Sequence, residues 1–151
     1  VHQPPVHGVT LALNEPMGIV GLVATLQAPL AGLLERLAPA IALGNRVVAV
    51  PSSSQPLVTG ELIPWLETSD VPAGEENLVT GDADALAYVL AGHAEVEDFL
   101  WPDADATQAA RTQRLSAGNL KRTWVSAPTA SLQDTLQEAT QVKNVWVPYG
   151  V

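Results

Sequence analysis

The sequence predicts an α/β domain: an open, mainly parallel sheet with helices on both faces. Three observations lead there. Short β-branched runs alternate with helical stripes along the whole chain, the pattern of repeated strand–helix–strand crossovers. The run "RVVAVPSSSQP" (46–56) stops at a proline and spills into serines, as a buried parallel strand does on reaching the edge of such a sheet. Hydrophobic residues make up 47% of the 151 residues and charged ones 15%, so a single real core is expected and disorder is not.

Each element follows in order. "VHQPPVHG" is proline-rich and unpatterned, so residues 1–7 are expected to be a disordered or linker start and 8–151 one domain. The chain begins at Val1 with no initiator Met, which suggests an excised piece of a longer polypeptide or a processed precursor. "GVTLALN" (8–14) has strand spacing. "MGIVGLVAT" (17–25) is a strand whose Gly18 and Gly21 let a neighbour pack closely. "PLAGLLERLAPAIALG" (29–44) is a helix with Pro29 suited to its first turn and Gly44 to its end. Leu30, Leu33, Leu34, Leu37 and Ile41 form its core-facing stripe, and Pro39 is expected to bend or end it early.

"RVVAV" is the second sheet strand, and "PLVTGELIPWLE" (56–67) a proline-interrupted helix. "ENLVTG" (76–81) is a strand, "DADALAYVLAG" (82–92) a helix with Asp82 as N-cap, and "VEDFLW" (96–101) a strand. "DATQAARTQRLSAG" (105–118) is a helix stopped by Gly118, "RTWVS" (122–126) a strand and "SLQDTLQEATQ" (131–141) the last helix. "VKNVWVPYGV" (142–151) is a terminal strand. No internal repeat and no dividing linker appears.

Composition excludes several classes. A net charge of −9 with no basic cluster argues against nucleic acid; Lys121–Arg122, the densest positive spot, reads as a solvated helix end. The longest apolar stretch, Met17 to Leu34, is broken by three glycines, Gln27 and Pro29, so no membrane span is expected. The absence of cysteine removes disulfides, thiolate metal sites and a thiol nucleophile, and leaves the compartment open. Four Trp with so few charges hint at apolar surface that meets a partner.

The residues show no catalytic pattern. No glycine-rich phosphate turn follows any strand, because Gly18 and Gly21 lie within the first sheet strand. Ser52, Ser53 and Ser54 are able to donate to phosphate, but serine-rich loops are mostly solvated turns and that is the expected reading. Asp82 and Asp103 read as helix caps, and Asp84, Glu95, Glu97, Asp98 and Asp105 as solvated rims, although at the "DADAT" turn either Asp103 or Asp105 is expected to cap the free amides of the helix that follows. His2, His7 and His93 do not have metal-ligand spacing, so no metal is expected. No nucleophile-elbow pattern surrounds a serine.

"EPMGIVGLVATLQAPLAGLLERLAPAIALGNRVVAVPSSSQP" (15–56) resembles, without a gap, the Rossmann-like cofactor domain of aldehyde dehydrogenases. That family reads P-x-G-V-x-G-x-x-x-P-W-N-x-P and then K-x-A-P-A-L-A-x-G-N-x-V-V-x-K-P-S-E. Pro16, Gly18, Gly21, Pro29, Pro39, Gly44, Asn45, Pro51 and Ser52 match it. The resemblance continues more weakly through residues 71–98 and "NLKR" (119–122). "LQEATQVKNVWVPYG" (136–150) is similar to the family's C-terminal oligomerisation strand, and "GVTLALNEP" (8–16) to the strand entering the cofactor domain.

The family's functional positions differ here. Its oxyanion-hole Asn falls on Gln27, its ribose-binding Lys on Val50 and the partner Glu on Ser53. Its phosphate turn falls on "WPDADATQ", with Pro102 for Thr, Asp103 for the first Gly and Gln108 for the second. Its general-base Glu falls on Ser126, the following Gly-Gly on Pro128 and Thr129, and the nucleophilic Cys has no counterpart. Proline lacks a donor and a carboxylate repels pyrophosphate, so neither NAD nor NADP is an expected cofactor.

The resemblance therefore implies the degenerate C-terminal module of a two-module aldehyde dehydrogenase, its catalytic domain deleted and its assembly strand kept. The parent would be an NAD- or NADP-dependent cytoplasmic enzyme. Expected partners are the parent's catalytic module, a second copy, or both, with Val145, Trp146, Val147 and Tyr149 as assembly residues. The alternative is a regulatory or weak nucleotide-binding module that uses the residual crevice.

Overall fold

The computed structural model describes residues 8–55, 57, 60–125 and 131–148. Strands β1 (Gly8–Pro16), β2 (Ile19–Val23), β3 (Arg46–Val50), β4 (Glu76–Leu78), β5 (Asp98–Trp101), β6 (Arg122–Val125) and β7 (Thr140–Pro148) form two sheets. Helices α1 (Ala31–Ala42), α2 (Leu62–Glu67), α3 (Ala83–Gly92), α4 (Ala106–Ser116) and α5 (Leu132–Glu138) connect them. The large sheet has the order β4-β3-β2-β5-β6 with every pair parallel, as the strand–helix alternation predicts. The chain winds outward from β2 to β4, then returns to the other side of β2 at β5. The switch point therefore lies between β2 and β5, where an open α/β sheet leaves a crevice at its carboxyl edge.

Central parallel strands are covered on both sides, so they are apolar almost throughout. One cluster joins Val20, Leu22, Val47 and Ala49 to Leu33, Leu37 and Ala40 of α1, Leu62 of α2 and Ala139 after α5. The other joins Val23, Val50, Phe99 and Trp101 to Ala87 and Ala91 of α3, with Ala109 of α4 against it. Gly21 is required by this packing, because a Cβ there would lie 2.9 Å from the Phe99 ring.

The helix ends follow the expected chemistry with four corrections. Asp82 caps α3 by accepting from the Ala85 N–H, as expected. Asp103 caps nothing; Asp105 holds that role on α4. Pro39 does not end α1, which runs on to Ala42 and is closed by Gly44 at φ +87°. Gly118 does not stop α4: a 3-10 turn over Ala117–Asn119 follows, and Leu120 makes the left-handed exit at φ 56°. Lys121 and Arg122 are not a solvated pair. The Lys121 ammonium, buried, donates to the carbonyls of Leu90 and His93 at the end of α3. Arg122 donates to the carbonyls of Gln137, Glu138 and Thr140 at the end of α5. Cations at helix C-termini satisfy carbonyls that have no partner within the helix.

β1 and β7 form a separate antiparallel ribbon, in register from Gly8 opposite Pro148 to Pro16 opposite Thr140. It is tied to the main sheet at its base. The Asn45 amide donates to the carbonyls of Ala40 and Ala139 while its oxygen accepts from Gly18 N–H. Gln141 donates to Pro16 O, and Lys143 pairs with Glu15 at 2.9 Å.

Candidate functional site

The crevice at the switch point is bounded by three loops, which follow β2, β3 and β5. After β2, Thr25 is buried and its hydroxyl donates to Ala28 O, closing a turn against Gly32 at the start of α1. Gln27 lies exposed on that loop. After β3, Ser52 is buried and hydrogen-bonds Ser54 at 2.8 Å, and Ser54 also reaches Leu26 O. Ser53 is exposed at the turn. Val50, at the end of β3, is fully buried among Phe99, Ala87 and Ala91.

After β5 the turn is acidic and internally bonded. Pro102 has no N–H to offer. The Asp103 carboxylate accepts from the Leu26 N–H at 2.8 Å, tying the β5 loop to the β2 loop across the crevice. Asp105 accepts from the N–H groups of Thr107 and Gln108 at 2.7 and 2.8 Å. Gln108 completes the capping box by accepting from Asp105 N–H, and its amide donates to both oxygens of Asp84. The free amides of the α4 N-terminus, which in such folds face an anion, are thus directed at the chain's own carboxylate. Asp105 is the cap that the "DADAT" turn offered as an alternative to Asp103, and Asp84, expected on a solvated rim, belongs to this network. Ser126, Pro128, Thr129 and Tyr149 lie outside the described residues, as do His2 and His7.

A second polar cluster lies inside the fold, on the α1–α5 side of the sheet, and sequence reasoning missed it. Asp98, expected on a solvated rim, is fully buried on β5. One of its oxygens accepts from Phe99 N–H and the other has no hydrogen-bond partner. Burial raises its pKa to about 7, against the opposing pull of the Arg122 charge. Asp98, Glu138, Arg36 and Thr135 line one small space of about 10 Å³. Glu138 is likewise buried and shifted upward by desolvation, with Arg36 and Arg122 opposing. The only sequence signal was the position of Asp98 at the head of a strand apolar on both faces. Among the described residues no group of three His, Cys, Asp or Glu side chains is placed to hold a metal. No described helix is long and apolar enough to cross a membrane.

A five-stranded parallel sheet with this strand order, a ribbon of β1 and β7 and a crevice at the β2–β5 switch point define a Rossmann-like, dinucleotide-fold domain. The profile of the aldehyde dehydrogenase family matches residues 3–128, and the chain belongs to that family. It is 26% identical over 80% of its length to an NADP/NAD-dependent aldehyde dehydrogenase of Escherichia coli. It is 30% identical over 91% of its length to the hydroxyisobutyraldehyde dehydrogenase of Mycolicibacterium austroafricanum. Among solved structures, 3,6-anhydro-L-galactose dehydrogenase in complex with NAP superimposes on 83% of the chain with a TM-score of 0.76 and 28% identity. The chain spans 24% and 29% of the two curated relatives and 26% of that solved chain.

Proposed function

We propose that this chain is a non-catalytic structural and assembly module of a larger NAD- or NADP-dependent aldehyde dehydrogenase. The observation that carries the reading is the start of α4. Its free amides are capped by Asp105 and Gln108, and Asp103 and Asp84 stand beside them. A pyrophosphate there would have to displace a carboxylate from those amides and sit against two more, with Pro102 unable to donate. The buried Val50 offers no donor for a ribose hydroxyl. The residues at this edge do not fit a dinucleotide.

The assembly half of the reading rests on the ribbon. Opposed residues share a face, so Val9, Leu11 and Leu13 lie with Val145 and Val147 on one side, and Trp146 lies with Thr10 on the other. Leu11, Leu13, Val142, Trp146 and Val147 are exposed. Such an apolar, two-sided ribbon suits docking against the parent's catalytic module or a second copy.

Calorimetric titration of the whole chain with NAD and with NADP tests the first half. No saturable heat is expected for either. A micromolar dissociation constant would overturn the reading and favour a regulatory nucleotide site, at which the hydroxyls of Thr25, Ser52 and Ser54 would exchange the bonds they make within the crevice loops for bonds to the ligand.

A further inference from the structure

A groove of about 710 Å³ runs along the free edge of the large sheet, between α2, the loop 71–74 and β4. It shares no residue with the crevice or the ribbon. Its walls are apolar: Ile63 and Leu66 of α2, Val71, Pro72, Leu78 and Val79. Its charged members are both acids, Glu67 and Glu76. Arg46, at the start of the neighbouring β3, is engaged with Glu75 at 3.5 Å.

Two features make this more than an apolar hollow. The first is the strand edge. β4 pairs with β3 through Glu75 O, which accepts from Val47 N–H, and Val79 N–H, which donates to Ala49 O. Backbone groups alternate in direction along a strand, so the N–H and C=O of Glu76 and Leu78 point outward from the sheet. The second is the Glu76 side chain. Its Oε1 is buried and has no hydrogen-bond partner. A carboxylate oxygen withdrawn from water without a donor is costly unless a donor arrives. Burial also holds this carboxyl above its ordinary value, as an incomplete site would.

We propose that this edge binds an extended, cationic peptide segment by strand addition, pairing with Glu76 and Leu78 and placing a Lys or Arg against the Glu76 carboxylate. Side chains two apart on an added strand share a face. The segment therefore carries a cation and, two residues away, an aliphatic side chain that fills the space between Ile63, Leu66 and Leu78. A second copy of this chain is the poorer occupant. It would bring Glu76 and Glu67 against their own equivalents, on a molecule whose net charge is −9.

The probe is a fluorescein-labelled eight-residue peptide with lysine and valine two apart on one face and threonine on the other, titrated against the whole chain by anisotropy. Binding is expected, weakened about tenfold by Glu76→Gln, which leaves the buried oxygen without its charge. The same peptide N-methylated at alternate residues is expected to lose binding, because it cannot complete the ladder. Amide exchange at Glu76 and Leu78 in the unmodified protein should slow when the probe is added. An acidic counterpart that binds as well, or an N-methylated one that binds unchanged, would overturn the proposal. So would unchanged exchange at both amides. A dimer in sedimentation that Leu78→Pro abolishes would assign the edge to a second copy instead.

Discussion

Asp98 is the residue at which the chain departs most from what a buried strand prefers. It lies among Val20, Leu22 and Leu100, with Arg122 on β6, Glu138 on α5 and Arg36 on α1 as the charged groups near it. Its folded pKa of about 7 stands well above the ordinary 3.8. The folded chain therefore keeps a proton that the unfolded chain releases near pH 4. Stability contributed by this group is full below pH 4 and lost as pH rises through about 7. A shift of this size has an upper bound of roughly 4 kcal/mol. Glu138 and Glu76, also shifted upward by burial, act in the same direction. We expect the urea midpoint to be higher at pH 5 than at pH 8. Asp98→Asn keeps an acceptor for Phe99 N–H and removes the ionisation, so it should flatten that difference and raise the midpoint at pH 8. An unchanged profile in the variant would show that Asp98 is not the titrating group.

Helix α4 shows how one turn is specified. The spacing of Asp105 and Gln108 produces a reciprocal cap, and the bond from Gln108 to Asp84 fastens α4 to the first turn of α3. Asp105→Ala should lower stability by about 1 kcal/mol in urea unfolding. It should lower it more than Asp103→Ala, since Asp103 caps no helix and holds a single loop amide. The elements themselves were legible for a simple reason. Their signals are local: β-branched runs for β2, β3 and β5, the leucine stripe for α1, and Asp82 and Gly44 at helix ends. Pro39 was misread because proline breaks a helix through its neighbours, and here packing of Leu33, Leu37 and Ala40 outweighs the one missing hydrogen bond. Gly118 was misread because left-handed backbone was assigned to the residue best suited to it. The chain places that strain on Leu120 instead, where Asn119 binds the carbonyls of Ala94 and Val96 and Lys121 caps α3.

At the scale of the molecule the first and last strands pair with each other, and the main sheet holds them there. The anchors lie at the base of the ribbon, Asn45 to Ala139 O and Arg122 to Thr140 O, while its far end carries the exposed Trp146 and Val147. Deleting residues 143–151 leaves both anchors and both clusters in place. The truncated chain should keep its circular dichroism and melting cooperativity, and sedimentation should show weaker self-association or weaker docking to a catalytic module. Loss of folding, or an assembly state that does not change, would remove the ribbon's assigned role.

Sequence alone determined the order and type of the elements, the family framework and the substitutions at Val50, Asp103 and Gln108. Each of these is written in residues close together along the chain. Tertiary structure alone decided that Val145 and Val147 share one face with Leu11 while Trp146 takes the other, because the facing follows from register against β1. It also decided that Asp98 is buried beside Glu138, that Lys121 and Arg122 cap helices remote in sequence, and that Glu76 lies in a groove without a donor. The physical reason is the same throughout. A side chain's charge state and partners depend on what is packed against it, and in a parallel sheet those neighbours come from distant parts of the chain.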